Sequence, residues 1–288
     1  MYNSIVVGYD ESFSSKAALK EASRWVNVHG GKIFLIHAVY FDQEEFAILP
    51  SQMEKRFEFG TSVCLDAKKN LHDEFGLNGN VESMICEGEP PEVIVDMARG
   101  KNADLIALGT YGRKGFKRLL MGSVTSQVII NSPCDVLVVS KECTTRCTGR
   151  YSSLLVPFDG SESSKKALVR ACELSTLDGG EVTVLYVIPR YEEMMDFFKT
   201  ETITKSLFQE AEKILEGAKK IAAGLGVQIK AVVQEGHSGD KIVELADKFK
   251  NDLIVMGTHG WSGMDKAIMG STAERIIAYA DRPILIVK

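Results

Sequence analysis

The sequence predicts an α/β protein built from two doubly wound parallel-sheet modules. Three observations carry that reading: an internal repeat, an alternation of short β-branched runs with longer helical periods, and a length of 288 residues. At roughly 150 residues per domain the length divides into two. The repeat makes the halves copies of each other. IVVGYDESFSSKAAL (5 to 19) aligns with LLVPFDGSESSKKAL (154 to 168), and GKIFLIHAV (31 to 39) with GEVTVLYVI (180 to 188), both at an offset of 149. ADLIALGTYG (103 to 112) aligns with NDLIVMGTHG (251 to 260), and MGSVTSQVI (121 to 129) with MGSTAERII (269 to 277), both at 148, so one deletion separates the copies. The polar, Thr-rich KECTTRCTGR (141 to 150) reads as the connection. The expected organisation is module 1 over 1–142, a linker over 143–150 and module 2 over 151–288.

Within each copy the elements follow in order. SIVVGYD is a strand, and the helix after it, from about Ser14 to His29, gathers Ala18, Ala22, Trp25 and Val26 on one face. KIFLIHAV is the second strand. The long helix behind it shows best in the second copy, where Ile203, Leu207, Ala211, Ile214, Leu215, Ala218, Ile221, Ala222 and Leu225 recur every three or four residues. VESMICEG and VQIKAVVQEG are third strands, with short helices near 91–99 and 239–249. DLIALG and DLIVMG are nearly continuous apolar runs, the mark of parallel strands buried on both faces. VLVVS and ILIVK close the modules. Strands alternating with helices imply right-handed crossovers and an open parallel sheet covered on both sides. Ligands of such sheets lie at the carboxyl ends of the strands, where the strand order reverses.

Composition narrows the function classes. Apolar residues are 45% and charged residues 25%, as in ordinary globular chains. The net charge of −5 offers no global basic field for nucleic acid. No run approaches the ~20 apolar residues of a membrane span, and MYNSIVVGYDES lacks the basic start of a signal peptide. Six scattered cysteines read as reduced thiols in a cytoplasmic protein, and Cys143 and Cys147, in CTTRC, lack metal-binding spacing.

After strand four the copies read GTYGRKGFKRLLMGS and GTHGWSGMDKAIMGS: Gly-x-x-Gly, nine residues, Gly-Ser. Gly109, Gly112, Gly122 and Ser123 carry the pattern in one, and Gly257, Gly260, Gly270 and Ser271 in the other. Glycines leaving a buried strand allow close backbone approach, and amides at the next helix start suit a phosphate. Ser-Thr-Ala-Glu at 271 to 274 also fits a plain capping box. Neither a Walker A loop nor a dinucleotide fingerprint after strand one is present. His37 pairs with Tyr186 across the repeat, and His259 with Tyr111, so neither histidine recurs and packing or stacking is the expected role.

The motif, with an aspartate after the first strand, resembles the universal stress protein family in its tandem form, over nearly the whole chain. That resemblance implies five strands per module in the order 3-2-1-4-5 and an adenine-nucleotide site for ATP or AMP in each. Asp10 and Asp159 would sit by the ribose or a phosphate-bound magnesium, the metal being conditional on ATP; each could instead cap the turn that follows it. Adenine would be held by backbone groups at Ala38 and Val187. Gly109, Gly112, Gly257 and Gly260 would shape the ribose and phosphate turn, and Gly122-Ser123-Val124 and Gly270-Ser271-Thr272 would take the distal phosphates. Gly8, Leu108, Pro157 and Met256, at the ends of strands one and four, and Arg113 complete the expected set. The family also pairs modules about a twofold axis, which implies an intrachain pseudo-dimer, with a homodimer as a further step.

The copies differ in their loops. The first contains Arg113, Lys114, Lys117 and Arg118, and the second Trp261, Ser262, Asp265 and Lys266. If these side chains face phosphates, the first site favours ATP and the second fewer phosphates; otherwise they are solvated surface. The expected function is a regulatory, stress-response nucleotide-binding protein, with no catalytic residue assigned. The alternatives are an interaction module with empty loops, or a slow ATP-hydrolysing or nucleotide-processing enzyme on the same fold.

Overall fold

The computed structural model describes residues 1–40, 50–77, 79–110, 122–141, 143, 149–189, 201–258 and 270–288. The chain forms two compact units, Met1–Arg150 and Tyr151–Lys288. In the first the elements are β1 (Ser4–Gly8), α1 (Phe13–His29), β2 (Lys32–Val39), α2 (Pro50–Phe75), β3 (Val81–Glu87), α3 (Pro90–Gly100), β4 (Leu105–Gly109), α4 (Ser123–Asn131) and β5 (Asp135–Val139). In the second they are β6 (Ser153–Pro157), α5 (Glu162–Asp178), β7 (Glu181–Pro189), α6 (Glu201–Gly224), β8 (Ile229–Gly236), α7 (Ser238–Lys248), β9 (Leu253–Gly257), α8 (Ser271–Tyr279) and β10 (Ile284–Val287).

Within each unit the strands are all parallel, in the orders β3-β2-β1-β4-β5 and β8-β7-β6-β9-β10. Both are the 3-2-1-4-5 arrangement expected. In the first unit α1 packs with α2, and α3 with α4, so helices cover both faces. Central strands are accordingly dry: Ile5, Val6, Val7, Ile106 and Ala107 in one sheet, and Leu154, Leu155, Val156, Ile254 and Val255 in the other, are all 0% exposed. Alternation would have left one face wet; the continuous apolar runs are what a sheet covered on both sides requires.

The helix starts are set by serine. Ser12 caps α1 and Ser161 caps α5, each accepting from the amide three residues on, at 3.2 Å in both units. Pro90 opens α3, where a missing amide costs nothing. The fold is also tied at the amino ends of the strands. Tyr2 Oη donates to Asp135 at 2.7 Å, and the Trp25 indole donates to the Tyr2 carbonyl at 3.0 Å. No helix among the described residues is long and apolar enough to cross a membrane.

The cysteines depart from expectation at one place. Cys143 is disulfide-bonded, so the reading of six reduced thiols fails there; spacing alone had given no sign of it. Cys147 lies outside the described residues, while Cys64, Cys86, Cys134 and Cys172 are thiols outside any disulfide. Burial pushes the Cys64 and Cys172 thiols up to about 11. Thiolate is the reactive form, so both stay protonated and inert near neutrality. Iodoacetamide at pH 8 is expected to spare both in the folded protein and modify both in urea, as peptide mass mapping will show.

Candidate functional site

In each unit the crevice opens where the first and fourth strands part company. β1 ends at Gly8, and the Tyr9 amide makes the last bond to β2, donating to the Ile36 carbonyl at 2.9 Å. β6 ends likewise at Pro157, with the Phe158 amide donating to the Leu185 carbonyl at 2.9 Å. Groups directed to one side of a strand alternate, so the next pair aimed past the end of the first strand belongs to Ala38 in one unit and Val187 in the other. Both are half-buried, among neighbours that are mostly buried. Val187 lines the cleft of the second unit described below, and Ala38 holds the equivalent strand position in the first.

The aspartates serve the turn. Asp10 Oδ1 accepts from the Ser12 amide at 3.0 Å and Asp159 Oδ1 from the Ser161 amide at 3.0 Å. The turn-capping role is therefore present in both units, and Asp159 also lines the cleft described below. Between aspartate and serine the backbone adopts positive φ: Gly160 at 84° and Glu11 at 63°. A side chain there is strained by roughly 1 kcal/mol. Glu11→Gly is expected to raise the stability of the first unit by about that much, measured by urea denaturation.

The glycines that end β4 and β9 have a packing reason. A Cβ on Gly109 would lie 2.5 Å from Ser14 Oγ and 2.6 Å from the Ser14 carbonyl carbon, and one on Gly257 would lie 2.5 Å from Ser163 Cβ. The first turn of α1 or α5 thus sits directly on the strand end. Gly8 leaves room for Ile94 and Leu108, whose methyls would each stand 2.7 Å from a Cβ there. Pro157 takes the equivalent place in the second unit; lacking an N–H suits the last residue of a strand at a switch point.

The helices after the glycine loops start on Gly122 and Gly270, which are the N-caps of α4 and α8. This overturns the capping-box reading: Ser271 is the first helical residue, and the N-cap of each helix is a glycine with no side chain to cap it. The first-turn amides of Ser123, Val124 and Thr125, and of Ser271, Thr272 and Ala273, lie at the positive end of their helices, a place that suits an anion. The Thr125 hydroxyl is committed elsewhere, donating to the Gly109 carbonyl at 2.7 Å.

In the second unit these parts enclose one cleft of about 400 Å3. It is lined by the expected Pro157, Asp159, Val187, Met256, Gly257, Gly270, Ser271 and Thr272. It is also lined by residues the sequence reading missed, among them Phe158, Tyr186, Pro189, Ser238, Ile242 and Thr258. Tyr186 is a wall of the cleft. His37, its counterpart, is buried, with Nδ1 2.9 Å from the Tyr9 carbonyl and its ring edge-on to Phe59. Gly60 makes space for that ring, since a Cβ would stand 2.8 Å from His37 Cδ2. Gly112, Arg113, Gly260, Tyr111, His259 and the charged loop residues 114–118 and 261–266 lie outside the described residues.

Comparison with known proteins fits this architecture. The profile of the Universal stress protein family matches residues 1–140 and again 150–288. The chain belongs to the universal stress protein family. A universal stress protein of Methanocaldococcus jannaschii is 36% identical over 140 residues, covering 48% of this chain and 82% of that one. A universal stress protein of Mycobacterium tuberculosis is 23% identical over 297 residues, covering 99% of this chain and 96% of its own. The crystal structure of a universal stress protein from Archaeoglobus fulgidus superposes with a TM-score of 0.75 at 19% identity, over 100% of this chain and 99% of that one, a likeness of fold.

Proposed function

We propose that the chain binds adenine nucleotides at the carboxyl ends of its strands, one site per unit, as a regulatory ligand. The observation that supports this most is the second unit's cleft, whose two ends suit the two ends of a nucleotide. One end carries the Val187 backbone pair beside apolar walls from Pro157, Met256 and Ile242. An N–H beside a C=O matches adenine, whose ring nitrogen accepts and whose amino group donates. The other end is the start of α8, suited to phosphate. A base read by backbone also tolerates Ala38 in one unit and Val187 in the other.

Asp159 faces the same cleft, and a carboxylate beside phosphate is repelled unless a cation intervenes. Magnesium is therefore part of the proposal for ATP, held by the nucleotide with Asp10 or Asp159 as a hard oxygen donor. A pseudo-dimer of the two modules and residence in the cytoplasm belong to the same reading. The loop difference is retained too: Arg113 and Lys114 in the first copy favour a triphosphate, while Asp265 in the second does not.

Mass spectrometry of ligand released by denaturing protein purified without added nucleotide is expected to yield AMP or ATP. Gly112→Val and Gly260→Val should each remove binding at one site, with unequal losses of ATP affinity. A sharper variant uses the helix start. Gly270 has φ −66° and ψ 140°, a conformation that tolerates a following proline. Ser271→Pro removes an amide and a hydroxyl where proline is accepted. It should weaken ATP binding at the second site about tenfold while leaving the melting temperature nearly unchanged. A parallel loss of stability would mean that the amide serves the fold.

A further inference from the structure

We propose that Ser238 is a ligand-selecting residue of the second unit's cleft, absent from the first unit, and that Arg275 and Asp240 position it. This rests on the nucleotide reading above and assigns the nucleoside end of that site a side-chain contact. Ser238 is the first residue of α7 and lines the cleft two residues past Gly236, which pairs with Pro189 across β7 and β8. Its hydroxyl makes no hydrogen bond among the described residues. A hydroxyl at a cleft wall can donate or accept, so it can serve the base or the sugar of a nucleoside.

The turn that carries Ser238 is held from α8. A Cβ on Gly239 would meet Arg275 Cδ at 2.9 Å and Cβ at 3.0 Å, so the arginine stem lies flat against that glycine. Arg275 Nε then donates to Asp240 Oδ1 at 2.5 Å, and its guanidinium stands 5.4 Å from the Tyr279 ring centroid. The middle of α8 is thereby joined to the start of α7 at Gly239 and Asp240, directly after Ser238.

None of this exists in the first unit. Aligning GEPPEVIV (88 to 95) with GHSGDKIV (236 to 243) puts Pro90 over Ser238, Pro91 over Gly239 and Glu92 over Asp240, and Gln127 stands over Arg275. Proline offers neither hydroxyl nor amide, proline at 91 leaves no trough for an arginine stem, and glutamine cannot pair with Glu92 as arginine does with Asp240. The second unit therefore draws affinity from the nucleoside end, independent of phosphate number. Its loop, with Asp265 and Lys266, carries fewer cations than the first.

The test uses the full chain with 13C-labelled isoleucine methyls, titrated with adenosine, AMP and Mg-ATP. Ile242 lines the second cleft and Ile94 is its counterpart in the first unit, so the two methyls report the sites separately. Ser238→Ala is expected to raise the midpoint at Ile242 about three- to tenfold for all three ligands alike, the worth of one neutral hydrogen bond, with the Ile94 midpoint unmoved. Arg275→Gln should give a similar rise, and adding it to Ser238→Ala should give no further loss. Inorganic tripolyphosphate, which has no nucleoside, should bind the variants as it binds the native chain.

An unchanged Ile242 midpoint in Ser238→Ala overturns the proposal while leaving the nucleotide reading intact. Multiplying losses in the double variant overturn the positioning role of Arg275. Absence of any ligand-dependent shift at Ile242 in the native chain defeats the nucleotide reading, and this proposal with it.

Discussion

Gly257→Ala is expected to destabilise the second unit by about 3 kcal/mol or more, and Gly109→Ala to do the same in the first. The added methyl would stand 2.5 Å from Ser163 Cβ in one case and 2.6 Å from the Ser14 carbonyl carbon in the other. Neither obstacle is the free end of a long side chain. Ser163 and Ser14 are in the first turns of α5 and α1, just after the serine N-caps and the Asp159 and Asp10 turns. Yielding room therefore moves the helix start and the aspartate that faces the cleft. Nucleotide affinity should fall with stability. Gly217→Ala in α6 is the control: its Cβ meets nothing within 4 Å, so helix propensity alone predicts a gain of about 0.5–1 kcal/mol. Urea denaturation of the three variants separates overpacking from the ordinary effect of a glycine. A Gly257→Ala protein as stable as the native one would show that the strand end and helix do not touch as described.

Arg282→Met should be the most damaging loss of a charged group, about 3 kcal/mol, lowering the second unit's melting temperature by roughly 10 °C. Arg282 is 1% exposed, the largest of the fully buried side chains among the described residues. One guanidinium nitrogen donates to the carbonyls of Ala246 and Asn251, and another to Asp247 and Asp281. The carbonyl of Ala246 is among the last of α7, where a cation completes groups the helix leaves unpaired. Methionine fills the volume but leaves those carbonyls dry, which separates packing from polar satisfaction. Lysine retains the charge without the planar fork, so Arg282→Lys should recover only part of the loss. Because the other end of α7 carries Ser238 and Ile242, calorimetry with and without AMP should also show a reduced ligand-induced rise in melting temperature.

Much of the fold was legible because its causes are local or repeated. The dry strands announce themselves as apolar runs at 105–109 and 253–257. The crossovers follow from alternating periods, and the offset of 149 then 148 establishes two copies. The crevice followed from topology, since the ends of the first and fourth strands must diverge there. Other features were hidden for physical reasons. Beyond the ligand turn expected of it, the glycine at 109 has a packing role that local sequence does not reveal: its Cβ space is occupied by Ser14, ninety-five positions earlier in the chain. A serine before a helical run usually is the cap, which makes Ser271 resemble one; the N-cap is instead Gly270, which has no side chain to cap with. Ser238 was invisible because its meaning depends on Gly239 and on Arg275 from another helix. Only the contrast with Pro90, Pro91 and Gln127 in the first copy marks it.

Equilibrium dialysis with labelled ATP, with and without magnesium, tests the central claim most directly. Saturation near two nucleotides per chain, with one of the two sites about tenfold weaker in Ser271→Pro and both unchanged in Gly217→Ala, is the predicted result. No binding by the native chain up to millimolar ATP or AMP, in protein shown to be folded and free of retained ligand, would contradict it.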